Sequence, residues 1–192
     1  MSAAQNVLVV AGTGFVGSAV VRALHGAGHH VTVYHRGRHE PDLPGSVRHV
    51  RSPDAALPVL RYPAELRAAC FDAVVLVVPI GEADARAAVE AFRGRAGRLA
   101  AVSSADVYAA YGQATGLEPV PAAAPPSISE DAPVRSVLYP YGRRTAGPWG
   151  ELRDYEKLLV ERAVLGDAEL PGTVLRLPAV YGPGDRQRRF AG

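Results

Sequence analysis

Short apolar runs alternate along this chain with longer stretches in which apolar residues recur at helical spacing. Asn6 to Ala11 opens the series as a valine-rich run of the kind a strand covered on both faces requires. Further runs at His30 to Tyr34, Val47 to Arg51, Ala73 to Val78, Arg98 to Ser103 and Thr173 to Leu177 predict five more strands. Helical spacing appears over Phe15 to Ala27, Ala64 to Cys70, Glu82 to Phe92 and Trp149 to Leu165, the last preceded by Pro148, where a proline is tolerated. This alternation predicts an α/β fold, a doubly wound parallel sheet of six strands joined by right-handed crossovers. Residues 112–148 read as a long connection, rich in proline and alanine, at the carboxyl edge of the sheet where such folds bind ligands.

The junction of the first strand and first helix carries chemistry. Gly12, Gly14 and Gly17 stand at GxGxxG spacing between them. Glycines in such a turn let backbone N–H groups approach a pyrophosphate, and the helix directs its free amides and positive dipole end at the same point. The expected ligand is a dinucleotide. After the second strand the chain reads VYHRGR, with no carboxylate to bind a ribose hydroxyl pair and with Arg36 and Arg38 able to hold a 2′-phosphate, which favours NADP over NAD.

Length and composition narrow the setting. A chain of 192 residues with 48% hydrophobic and 21% charged residues suits one globular domain, expected over 1–192. The net charge of +2 suits a small anionic ligand without calling for nucleic acid. A single cysteine, Cys70, excludes an intrachain disulfide and points to the cytoplasm, and the apolar N-terminus is too short and glycine-broken for a membrane helix. Six histidines between His25 and His49 lack the spacing of a metal site, so no metal is expected.

VAGTGFVG, VSSADVY, ISEDAPV and LRLPAVYGPGD, met in that order, resemble the extended short-chain dehydrogenase/reductase superfamily, the NAD(P)-dependent epimerase/dehydratase group. The resemblance covers nearly the whole chain, with Ala11 where the family usually has its first glycine. It implies an oxidoreductase acting on a nucleotide sugar or another small hydroxyl or ketone substrate. The implied cofactor contacts are Gly12, Thr13, Gly14, Phe15, Val16 and Gly17, with Arg36, Arg38, Val78, Lys157 and Pro178. It also implies Ser104 as the catalytic serine and a homodimer interface through the helix at 149–165.

The family places a tyrosine four residues before a lysine on one helix, where the ammonium lowers the phenol pKa. Lys157, the one lysine among 21 basic residues, fits the lysine position within KLLVERAV. Four residues earlier stands Arg153, which cannot exchange a proton. On a continuous helix Tyr155 would lie about 200° from the required face. Tyr141, in YPYGRR, and Tyr108 are the other candidates. The alternative is a non-catalytic NADP-binding sensor or partner subunit that has lost the tyrosine. The arginines at 186, 188 and 189 read as a solvated terminus, and much of the substrate lid implied by the family is not in this sequence.

Overall fold

The structure is a computed structural model and describes residues 3–38, 42–120, 128–142 and 153–185. Six strands, β1 (Asn6–Val10), β2 (His30–His35), β3 (Arg48–Arg51), β4 (Ala73–Leu76), β5 (Leu99–Ser104) and β6 (Gly172–Leu177), form one sheet in the order β3-β2-β1-β4-β5-β6. Every pairing is parallel. The helices are α1 (Phe15–Gly26), α2 (Ala64–Ala68), α3 (Glu82–Phe92), α4 (Ala109–Ala114) and α5 (Lys157–Leu165).

Parallel strands need covered faces, and two apolar clusters supply them. Val7, Val9, Val31 and Val33 meet Val21 of α1 on one face. On the other, Leu8, Val74, Leu76, Leu99 and Ala101 pack with Ala85, Val89 and Phe92 of α3 and Val160 and Val164 of α5. The strand order reverses between β1 and β4, which opens a crevice at their carboxyl ends.

The last helix differs from its expected span. Residues 149–152 lie outside the described residues, and 153–156 form a turn and extended backbone, so α5 begins at Lys157 and not at Trp149. Glu156 is the reason: at φ −153° it is the N-cap, and its carboxylate accepts the N–H of Leu158 at 2.8 Å. The connection expected over 112–148 also contains the end of α4, missed because AAYGQA is too short to show a period. Its 121–127 and 143–148 lie outside the described residues.

Ala11 adopts φ +62°, in the left-handed region where Cβ crowds the following carbonyl. That crowding costs about 1–2 kcal/mol, and a glycine recovers it less about 0.4–1 kcal/mol of chain entropy. Ala11→Gly is therefore expected to raise unfolding free energy by about 0.5–1 kcal/mol, read from urea denaturation midpoints.

Candidate functional site

The three loop glycines have different tasks. A Cβ on Gly12 would come within 3.1 Å of Val9, Val33 and Val21, and one on Gly17 within 2.8 Å of the backbone of Ala11 and Gly12. These two let α1 pack against β1 and its loop. Gly14 is the N-cap of α1 with an ordinary φ of −82°, and a Cβ there would meet nothing within 4 Å. Neither packing nor backbone strain requires glycine at 14; the open space in front of it suits a phosphate group outside the chain.

That space belongs to a cleft of about 860 Å³. Thr13 to Ser18 form one wall, Val77 and Val78 follow β4, and Val102 to Ser104 end β5. Leu177 to Val180 close the far side, and Tyr155 and Lys157 stand at the same end as Ser104. Of the residues predicted for cofactor contact, Thr13, Gly14, Phe15, Val16, Gly17, Val78, Lys157 and Pro178 line this cleft, while Gly12 lies beneath it. Arg36 and Arg38 are exposed on the loop after β2. Beside the cleft, Leu57, Val59 and Tyr62 complete an apolar recess with Val10 and Leu76 that sequence reasoning did not single out.

Lys157 is buried, and its Nζ donates to the carbonyl oxygens of Pro79 and, at 3.0 Å, Val102. Its ammonium is thus fixed between the ends of β4 and β5. Burial pulls its pKa down to about 8, against the opposing pull of Asp106, Asp84 and Glu161. Because the folded value lies below the ordinary one near 10.5, this group favours folding more as pH rises from about 8, and its unfavourable contribution is complete below about 8. Any activity that uses the ammonium is expected to fall as pH rises through about 8, checked by a pH profile of kcat/KM, which reports the free site.

Tyr155 is where the structure departs most from helical reasoning. Since α5 starts two residues later, the rotation of 200° does not apply, and Lys157 Nζ sits 5.3 Å from the centre of the Tyr155 ring. Ser104 and Asp106 are the polar side chains that act on the Tyr155 hydroxyl. Burial and the neighbouring Asp106 carboxyl hold its pKa above the ordinary phenol value, with Ser104 pulling the other way. Arg153 is exposed in the preceding turn.

Tyr141 lies behind Tyr155, its ring edge-on at 5.4 Å and its hydroxyl 2.8 Å from that of Tyr111. Tyr108 lies under the Arg176 guanidinium at 4.9 Å. Asp106 is the residue to which sequence reasoning gave no role, since with Ser103 and Ser104 it forms no hydrolase motif. It is buried in the 3-10 turn after β5, burial raises its pKa, and its Oδ1 has no hydrogen-bond partner among the described residues. The available signal was SSAD, in which Ser104 caps the turn through the N–H of Asp106.

A buried ion pair holds the site together. Glu156 accepts Arg135 Nη1 and Nη2 at 3.0 and 2.7 Å and the N–H of Tyr139, while its own N–H donates to Ile80 O at 2.8 Å. Arg135 Nε also donates to Asp106 O at 2.9 Å. One carboxylate between Tyr155 and Lys157 therefore ties the 135–139 segment, the turn after β5 and the start of α5. Across the sheet, Glu161 accepts from Ser103 Oγ and takes two bonds from Arg176, at 2.9 and 2.8 Å, fixing α5 to β5 and β6.

A curated protein named 2′-dehydrokanamycin reductase, from Streptomyces kanamyceticus, is 36% identical over 183 residues, which is 92% of this chain and 43% of that protein. The structure of MoeE5 in complex with UDP-glucuronic acid and NAD matches 96% of this chain and 58% of its own at 26% identity and a TM-score of 0.61. These likenesses agree with the resemblance of the chain to the extended short-chain dehydrogenase/reductase superfamily. No family model matches the chain. The fold is shared with the NAD-dependent NDP-hexosamine 5,6-dehydratase TunA, at 21% identity and a TM-score of 0.62 over 96% of this chain and 58% of that one. The chain thus spans a little over half the length of these two solved structures and less than half of the curated relative. No described helix is long and apolar enough to cross a membrane.

Proposed function

We propose that this chain carries the cofactor and proton-transfer half of an NADP-dependent oxidoreductase that interconverts a ketone and a secondary hydroxyl on a sugar-like substrate. The observation that carries the reading is the placement of Tyr155, Ser104 and Lys157 together at one end of a cleft whose other end is the open space before Gly14. The name of the relative from Streptomyces kanamyceticus favours reduction as the direction, and the complexes of MoeE5 favour a nicotinamide dinucleotide.

The residues fit that cofactor. Amides from Thr13 to Gly17 at the start of α1 suit its pyrophosphate, Arg36 and Arg38 a 2′-phosphate, and Lys157 the ribose beside the nicotinamide. When bound, the nicotinamide supplies the hydride chemistry that no side chain here possesses. Ser104 orients the substrate oxygen and Tyr155 gives it a proton as it gains charge. The Lys157 ammonium favours the resulting phenolate, which takes its proton back from solvent after the hydroxyl product leaves. The sensor reading rested on the absence of a tyrosine near the lysine, and the Tyr155 ring 5.3 Å from Lys157 Nζ supports the enzymatic reading over it.

Consumption of NADPH, followed by absorbance with a panel of keto-aminosugars and keto nucleotide sugars, tests the proposal. Turnover on a keto sugar is expected. Cofactor binding without turnover on any of them returns the chain to a binding role. Arg36→Ala with Arg38→Ala is expected to weaken NADPH binding by about 10- to 100-fold and leave NADH nearly unaffected, measured by nucleotide fluorescence.

A further inference from the structure

The carboxyl end of β2 holds an arrangement that proton transfer at Tyr155 does not use. His35, the last residue of the strand, is only 2% exposed. Its Nδ1 accepts the N–H of Gly37 at 3.3 Å, and its Nε2 lies 3.0 Å from Nδ1 of His49 on β3, the two rings meeting edge to face. The first bond assigns the protons of the second. A backbone N–H only donates, so Nδ1 of His35 is bare, its proton is on Nε2, and Nδ1 of His49 receives it.

What they hold is the turn that carries the arginines. Gly37 has φ +78°, and Arg36 and Arg38 flank it. Arg51 stands opposite His35 in the β2–β3 register, and its Cδ is 3.7 Å from where a Gly37 Cβ would be. Among the described residues, the charged groups that adjoin the pair along the chain are Arg36 and Arg38 on the exit of β2, Arg48, paired with Glu65, and Arg51 on β3, and Asp42 and Asp54 in the flanking loops. Protonation of His35 would set an N–H against that of Gly37, and protonation of His49 would set one against Nε2–H of His35. Either change converts an acceptor into a donor and releases the turn.

We infer that the His35–His49 pair is a positioning clasp that presets Arg36 and Arg38 for a phosphate monoester on the bound dinucleotide and opens in acid, so that preference for the phosphorylated cofactor is itself pH-dependent. The inference rests on the NADP reading above. A phosphate monoester also gains a proton near pH 6, so the comparison that isolates the clasp uses a variant that keeps the acceptor and cannot titrate. Asparagine at 35 offers an amide oxygen to the Gly37 N–H.

Affinities for NADP⁺ and NAD⁺ are measured by calorimetry at about pH 8 and about pH 5.5, either side of the imidazole range. The ratio favouring NADP⁺ is expected to fall on acidification by about tenfold more in the natural protein than in His35→Asn, a difference set by loss of charge-assisted bonds. His49→Leu, made from the half-exposed side, is expected to lower the ratio at the higher pH with NAD⁺ affinity unchanged. Equal pH dependence in the natural protein and His35→Asn, or a parallel loss of both cofactors in His49→Leu, overturns the clasp and leaves the NADP reading intact. Equal affinity for the two dinucleotides in the natural protein at the higher pH overturns both.

Discussion

Tyr155→Phe will lower kcat by about 10²- to 10⁴-fold, the usual contribution of a positioned proton donor, while leaving dinucleotide affinity unchanged. The expectation follows from placement: Tyr155 lines the cleft together with Ser104, and its ring faces the Lys157 ammonium at 5.3 Å. The phenol pKa lies above its ordinary value in the free site because burial and Asp106 oppose the phenolate. That suits a residue that enters the reaction protonated and releases its proton only as charge develops on the substrate. Folding should suffer by only about 1 kcal/mol, the net worth of a typical hydrogen bond. Tyr141→Phe removes the bond to Tyr111 behind the site and is expected to reduce kcat by less than about tenfold, since it acts only by supporting the Tyr155 ring. Steady-state kinetics on both variants, with cofactor affinity measured separately, distinguish the two. Loss of turnover in the Tyr141 variant alone would move the proton donor elsewhere.

Glu156→Leu should be the most destabilising single change in the described part of the site, by about 3–5 kcal/mol. Glu156 and Arg135 are both fully buried, and their paired bonds of 3.0 and 2.7 Å are joined by backbone bonds from Leu158 and Tyr139. Removing the carboxylate leaves a guanidinium enclosed without its counter-charge and also strips α5 of its N-cap. Replacing both partners, as in Glu156→Leu with Arg135→Met, removes the stranded charge and should recover more than half of the loss, because a buried pair contributes little over an apolar pair of similar volume. Urea denaturation of the two single variants and the double variant measures this directly. Additive losses in the double variant would mean that the two side chains act independently.

Much of the architecture was legible because a buried parallel sheet writes itself as apolar runs. Asn6–Val10, His30–His35 and Glu82–Phe92 fall within a residue of their expected spans, and the glycine loop lies where its spacing put it. The reactive end was read less well, for a local reason. Apolar positions three residues apart continue backward from Leu158 through Tyr155 to Leu152 and look helical, yet the Glu156 carboxylate caps the helix at Lys157, held there by Arg135, some twenty residues earlier in the chain. A tertiary ion pair thus reset a boundary that periodicity could not locate, and with it the face on which Tyr155 lies. Asp106 was obscured in the same way: its importance comes from burial beside Tyr155, which neighbouring letters do not encode.

The central claim is that the cleft before α1 is a dinucleotide site, and Gly14→Asp tests it most directly. A side chain there meets no atom within 4 Å, the backbone is ordinary, and aspartate is a favoured N-cap, so the fold should be unharmed or slightly stabilised. A carboxylate in that space would repel and displace a pyrophosphate. Calorimetric titration with NADP⁺, alongside the melting temperature of each protein, is predicted to show saturable one-site binding in the natural protein and loss of binding in a fully folded Gly14→Asp. Undiminished binding in the variant, or none in the natural protein, would contradict the account.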